Sequence, residues 1–221
     1  MHTGHRDRLK DRFLKEGLDC FDQHQVLELL LFYAIPYKDT NPLAHELIDK
    51  YGSLSAVLEA DPKELQTVKG VGKNTAVILS LMPQLCRRYL NDKWGDRPRL
   101  SSTRKAGEYT TTLFSGRLTE VFYVICLDAQ NRVTHSALVH EGTIDTAPVY
   151  PREIVQTALR HQATGLILAH NHPGGSLNPS GADIDATRKI IEACDTVSIR
   201  VVDHIIVAGG KHYSFADNGL I

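Results

Sequence analysis

Cysteine is scarce in this chain and is never paired at metal-binding spacing. Cys20, Cys86, Cys126 and Cys194 are its four cysteines, with no CxxC among them, which argues against a cysteine-rich zinc module. They read as reduced, mostly buried thiols of a cytoplasmic protein. Long apolar runs are also missing. The longest are about eight residues, too short to cross a bilayer, so no membrane partner is expected. Met1-His2-Thr3-Gly4-His5 opens no apolar core of a signal peptide. Excess charge is absent too: a formal net charge of −1 gives no global drive toward nucleic acid or membrane. No internal repeat of useful length is present.

What remains is ordinary for a globular protein: 221 residues, 42% hydrophobic and 23% charged. That length suits one large domain or two small ones. Local charge is less even than the total. Residues 63–99 carry eight Lys or Arg against three acids, whereas residues 101–221 carry ten bases against twelve acids. Positive charge therefore gathers late in the first half of the chain.

The first ninety residues read as helices joined by short turns. Gln25 to Tyr33 is strongly apolar and helical in composition. Asn41-Pro42 opens a helix through Lys50, and Ser53 to Glu59 forms another. Asp61-Pro62 supplies an N-cap and a first-position proline. Gly70-Val71-Gly72 interrupts, and Asn74 to Tyr89 continues as a longer helix. Residues 91–104 are polar, with Gly, Pro and Ser, and read as a linker. The period then changes. Val121 to Leu127 is continuous and β-favouring, as in a central strand. Val133 to Val139 reads as a second strand, and Pro151 to His161 as a helix. Gly165 to Ala169 makes a third strand, a helix starts at Ser180, and Arg200 to Ala208 makes a fourth strand. This order predicts an α/β (α+β) architecture: a helical region over 1–90, then over 105–221 one mixed sheet with helices packed on it.

The most informative stretch is His170-Asn171-His172, followed after ten residues by Asp183. Side chains at i and i+2 of a strand point the same way, so both imidazoles are expected side by side at the end of the third strand. A Gly/Pro-rich loop then returns Asp183. Ser180 to Asp183 has capping-box spacing, with Asp where Glu or Gln is usual. A first-turn acid is favourable there in its own right. The same placement would hold Asp183 rigid and facing the strand end. Two neutral imidazoles and one carboxylate make a three-ligand set for Zn2+, and catalytic zinc characteristically has three protein ligands with one position open.

This pattern, H-x-H, seven residues, Ser, two residues, Asp, resembles the JAMM (MPN+) metalloprotease signature at His170, His172, Ser180 and Asp183. The form HNHP, the segment Val201 to Val207, and Gly142 to Val155 are similar to the RadC branch of that superfamily. The resemblance covers nearly the whole chain. It implies a JAMM/MPN-like domain over 105–221 and hydrolysis of an amide or isopeptide bond in a peptide or protein. It also implies a general base at the start of the first strand. Glu120, immediately before Val121, matches that place; Glu141 and Glu153 are rivals, and Glu153 is better explained as a first-turn acid of its helix. Ser180 is the candidate oxyanion donor, in competition with its own capping role. His204 reads as a core histidine, with contact to a ligand as the alternative. One departure is Gly174, where the family usually has serine; altered loop contacts and an intact metal set are expected.

A second constellation is Lys69-Gly70-Val71-Gly72-Lys73, which resembles a helix-hairpin-helix motif. Glycines permit the tight turn, the next helix start can receive a phosphate, and the lysines add salt-sensitive attraction to DNA. A plain packing corner between helices is the alternative. Three functions follow: a zinc hydrolase of JAMM type, a nonenzymatic DNA-repair accessory protein with a structural metal, or a zinc nuclease. The last suffers because such enzymes favour two metals, and one ligand set is visible.

Overall fold

The computed structural model describes residues 3–142 and 150–221. The chain divides into two compact units, Met1–Leu85 and Cys86–Ile221. The division falls inside one helix.

The first unit is helical: α1 (Thr3–Glu16), α2 (Gln23–Ala34), α3 (Asn41–Tyr51), α4 (Leu54–Glu59), α5 (Pro62–Leu65) and the start of α6 (Lys73–Lys93). Local rules set several starts. Asp61 caps α5 by accepting from the Lys63 and Glu64 amides, with Pro62 at the first position. Ser53 caps α4 through the Ala56 amide. Leu27, Leu31, Leu47, Val57, Leu65 and Leu79 pack into one buried core. Helix α1 has no counterpart in the sequence reading, because nearly all its residues are charged or polar. It is held by few groups: Leu9 joins Leu29 and Phe32 in a small cluster, and Arg6 donates to the Ile35 and Pro36 carbonyls just past α2 (2.6 and 2.7 Å).

The second unit holds a five-stranded sheet in the order β2-β1-β3-β4-β5. The strands are β1 (Val121–Leu127), β2 (Val133–Glu141), β3 (Gly165–Asn171), β4 (Arg200–Ala208) and β5 (Lys211–Ser214). β1 pairs antiparallel with β2 and β3, β3 runs parallel to β4, and β5 turns back on β4. All seven residues of β1 are buried, as its unbroken apolar run predicts. Helix α7 (Thr103–Phe114) covers one face with Tyr109, Leu113 and Phe114 against Tyr123, Ile125 and Ile167. Helices α8 (Pro151–Arg160) and α9 (Gly181–Asp195) cover the other, with Ile154, Ala158, Ile190 and Cys194 against Phe122, Val124 and Leu168. The α+β fold class expected from the sequence is therefore the one observed.

Three details differ from that expectation. Helix α6 runs to Lys93, into the stretch read as a linker, and the rest of that stretch is partly ordered against the sheet domain. Leu100 is buried, Trp94 meets Tyr109 edge-on at 5.4 Å, and Ser102 caps α7. Polar composition concealed this, because two apolar anchors and one cap suffice to hold it. Helix α7 and strand β5 were also unforeseen. They depend on each other: a Cβ at Gly107 of α7 would lie 2.2 Å from the His212 ring of β5, so only glycine allows that approach. Finally, two of the four free cysteines, Cys20 and Cys86, are exposed; only Cys126 and Cys194 are buried, where burial pushes both thiols up to about 11.

Candidate metal centre

The ends of β1 and β3 and the start of α9 meet on the face covered by α8 and α9. His170 is the penultimate residue of β3, and His172 lies just past its end. The His172 amide donates to the Val207 carbonyl at 2.9 Å, which continues the strand pairing and keeps both imidazoles on one side. Their Nε2 atoms are 2.9 Å apart. Gly175, at φ +84°, returns its amide to the His172 carbonyl at 3.0 Å and closes the turn. At Gly174 an added Cβ would meet nothing within 4 Å.

Asp183 arrives from the first turn of α9. The anticipated capping box is present: Ser180 Oγ accepts from the Asp183 amide at 3.1 Å, and the Ser180 amide donates to Asp183 Oδ2 at 2.7 Å. The Ser180 hydroxyl also donates to Oδ2 at 2.7 Å. The carboxylate therefore has one orientation. Its Oδ1 lies 3.2 Å from His170 Nε2 and its Oδ2 3.5 Å from His172 Nε2. Zinc bonds of about 2.0–2.1 Å at tetrahedral angles separate neighbouring donors by about 3.3 Å. The three donors stand at close to that spacing.

Hydrogen bonds reveal why these donors call for a cation. His172 Nδ1 faces the Ser176 carbonyl at 2.8 Å and must donate to it. In the neutral ring Nε2 is then a bare lone pair. It faces His170 Nε2 at 2.9 Å and the Asp183 carboxylate at 3.5 Å, where a metal ion or a proton can sit. The hydrogen bond that its ring gives to Asp183 raises His172 above its ordinary value against the pull of burial, with lesser help from Ser176 and Glu120. Burial pushes the Asp183 carboxyl up, but the His170 and His172 imidazoles beside it outweigh burial and hold the group well below the usual carboxylate range. The residues fit a divalent ion.

Glu120 joins the same group. One of its carboxylate oxygens and the ring nitrogens of His170 and His172 all lie within 4.8 Å of one another, a set able to hold a metal. Asp183 stands closer to both imidazoles than this bound, at the ligand spacing just given. Glu141, the rival of Glu120, is engaged elsewhere, accepting from Thr119 Oγ1 at 3.2 Å, and Glu153 sits in the first turn of α8.

Two further residues are structurally central: Asn171, to which sequence reasoning assigns no role, and His204, whose alternative reading is contact with a ligand. Asn171, between the histidines, points to the opposite side. Its Oδ1 accepts from the Val121 amide at 2.8 Å and its Nδ2 donates to the Thr119 carbonyl at 3.0 Å. One side chain thus grips the backbone on both sides of Glu120. His204, read as a core histidine, is fully buried and hydrogen-bonded as expected, but its Nε2 partner is His170 Nδ1 at 2.8 Å. That contact is the alternative reading of His204, and nothing local in the sequence marks the Asn171 contacts.

The hairpin-like turn lies in the other unit. Val68 and Val71 are buried in the helical core, and Gly70 takes φ +101°. Lys69 and Lys73 are exposed, and Lys73 opens the 21-residue α6. Gly72 has neither a positive φ nor a neighbour that an added Cβ would strike.

A mixed sheet between helix layers, with imidazoles and carboxylates gathered at its strand ends, defines an α+β domain with a group able to hold a metal. The family described as RadC-like JAB domain matches residues 100–220. A UPF0758 protein of Rhodobacter capsulatus is 38% identical over 213 residues, covering 96% of this chain and all of that protein. A UPF0758 protein of Fusobacterium nucleatum is 36% identical over 227 aligned residues, covering 100% of this chain and 98% of its own length. The chain belongs to the RadC family. Part of the segment that supported the resemblance, residues 143–149, lies outside the described residues. Among the described residues no helix is long and apolar enough to cross a membrane.

Proposed function

We propose that this chain is a zinc-dependent hydrolase of JAMM type, cleaving an amide or isopeptide bond in a peptide or protein. One observation supports the reading: two imidazole Nε2 atoms 2.9 Å apart lie 3.2 and 3.5 Å from the two oxygens of Asp183, and with Glu120 they form a group able to hold a metal. A structural site would close with a fourth protein ligand.

His170, His172 and Asp183 would hold the ion. Zinc in such a site supplies Lewis acidity, which brings the pKa of a water to about 7 and polarises a carbonyl oxygen. Glu120 takes the proton of the attacking water and delivers it to the departing amine. Asn171 fixes the backbone from which Glu120 projects. The Ser180 hydroxyl has a single proton, and it lies on Asp183. Its first role is to anchor that carboxylate; to serve an oxyanion it has to turn away from Asp183.

Hydrolysis of ubiquitin-like and linear peptide conjugates by the zinc-loaded protein, with Glu120→Gln as control, is the direct test. Zinc retained with turnover lost supports the assignment. Equal turnover in that variant moves the base elsewhere. A nuclease reading is weaker, because among the described residues only one metal-capable group is found and such enzymes favour paired metals.

For the helical unit we propose salt-sensitive contact with DNA phosphates. It is supported by the exposure of Lys69 and Lys73 around the turn that opens α6. Duplex affinity that is indifferent to salt would refute it.

A further inference from the structure

Resting on the metal-site reading above, we propose that Thr187 and His204 are positioning residues that fix the tautomer of His170. They would hold its Nε2 lone pair on the ion by a directed chain of hydrogen bonds that ends on the other ligand, Asp183. The chain begins at Thr187 in α9. Its hydroxyl lies 2.6 Å from the Asp183 carbonyl and 2.5 Å from His204 Nδ1. A hydroxyl has one proton, and a carbonyl oxygen has none. The proton must therefore go to the Asp183 carbonyl, since otherwise two bare oxygens would face each other at 2.6 Å. His204 Nδ1 is then the donor to Thr187 Oγ1.

The direction propagates. His204 is fully buried and has no carboxylate among its hydrogen-bond partners, so the charged ring is unfavourable. A neutral ring that donates from Nδ1 accepts at Nε2. His170 Nδ1, 2.8 Å away, must donate to it. His170 Nε2 is left bare and faces Asp183 Oδ1 and His172 Nε2. Each bond has one permissible direction, set by the carbonyl at the far end. The result joins β3, β4 and α9 through side chains and ties the strand ligand to the backbone of the helix ligand. Phe122 and Phe215 flank these rings: Phe122 lies nearly parallel to His170, at 8° and 6.0 Å, and Phe215 packs on His204 at 4.6 Å. This apolar lining withholds other acceptors.

Thr187→Val removes the acceptor for His204 Nδ1–H. The His204 ring can then move its proton to Nε2 and face His170 with a donor. His170 is driven to the Nε2–H tautomer, which points a proton at the metal position. Outer hydrogen-bond partners of metal-bound histidines typically matter by about 10–100-fold in affinity. We expect zinc affinity, measured by chelator competition, to fall by that factor in Thr187→Val and to return in Thr187→Ser. Long-range ¹H–¹⁵N spectra of the metal-free protein should show Nδ1–H on His170 and His204 in the wild type and in Thr187→Ser. They should show a shift toward Nε2–H in Thr187→Val. A merely structural threonine would change stability but not the tautomer. A wild-type His170 carrying its proton on Nε2 while its Nδ1 faces His204 overturns the proposal, with no variant needed. So does undiminished zinc affinity in a folded Thr187→Val. Failure of the wild type to bind zinc would instead overturn the metal-site reading, and the tautomer spectrum would still decide the hydrogen-bond direction.

Discussion

The strand end at His170 and the turn at Gly70 are both short motifs flanked by structural glycine, yet the fold treats them differently. At the strand end, β1, β3, β4 and α9 deliver side chains to one buried cluster, in which His170, Asp183 and His204 are each at most 3% exposed. At the turn, the valines enter the core while the lysines stay in solvent. Burying polar groups is costly unless each is matched, so a buried cluster of imidazoles and a carboxylate matched to one another is informative. Exposed lysines cost nothing and specify little. The contrast teaches that convergence from distant elements argues for chemistry more strongly than a local motif.

Several experiments would break or sharpen that contrast. The largest effect is expected for His172→Ala, which removes one of three ligands. Metal analysis should fall from about one zinc per chain to near none, since a site of this kind is only as good as its deprotonated ligands. Full zinc occupancy in that variant would erase the distinction between the two regions. Next, Glu120→Gln should keep zinc and lose about 10²–10⁴-fold in turnover, the usual range for a positioned proton-transfer group. Asn171→Ala should lower kcat more than zinc content, because it frees the backbone around Glu120 without touching a ligand.

The pH dependence gives a third test, with a definite sign. Asp183 is depressed, so its stabilisation is present above the ordinary carboxylate range and is lost as pH falls through its folded value. His172 is raised, so its stabilisation is present below the ordinary histidine value and is lost as pH rises through the raised one. In metal-free protein the pair should contribute fully between about pH 4 and 6.5 and weaken above it. Zinc affinity should climb as the His172 proton leaves, by about tenfold per pH unit for one displaced proton. Melting curves and chelator competition across that range check both signs.

The smallest effects belong to the turn. Gly70→Ala places a side chain at φ +101° and should destabilise the protein by about 1 kcal/mol or more. Lys69→Ala with Lys73→Ala should change stability by less than about 0.5 kcal/mol. If the lysines meet DNA, the same pair should lower the salt slope of duplex binding by about 0.9 for each phosphate no longer neutralised.

Much of the site was legible because its rules are local. The i, i+2 spacing of His170 and His172, the Ser180–Asp183 cap and the apolar run of β3 each follow from one element's geometry. Glu120 became the candidate general base through family resemblance, since a glutamate at a strand edge is otherwise unremarkable. Helix α1 and the ordered part of 91–104 were missed because a few apolar anchors, Leu9 in one and Trp94 and Leu100 in the other, hold otherwise polar segments. Asn171 looked like a spacer because its partners lie about fifty residues earlier in the chain.

By itself the sequence determined that two imidazoles emerge together and that a capped carboxylate begins the next helix, since backbone periodicity and hydrogen bonding within a turn need no distant partner. Only the tertiary structure decided that His204 stands behind His170, that Thr187 sets the direction of their hydrogen bond, and that Asn171 grips the strand beginning at Glu120. Those contacts arise from pairing between strands and packing of a helix on the sheet, which join residues across 17 to 52 positions. No periodicity within one element can encode which atoms meet across such separations.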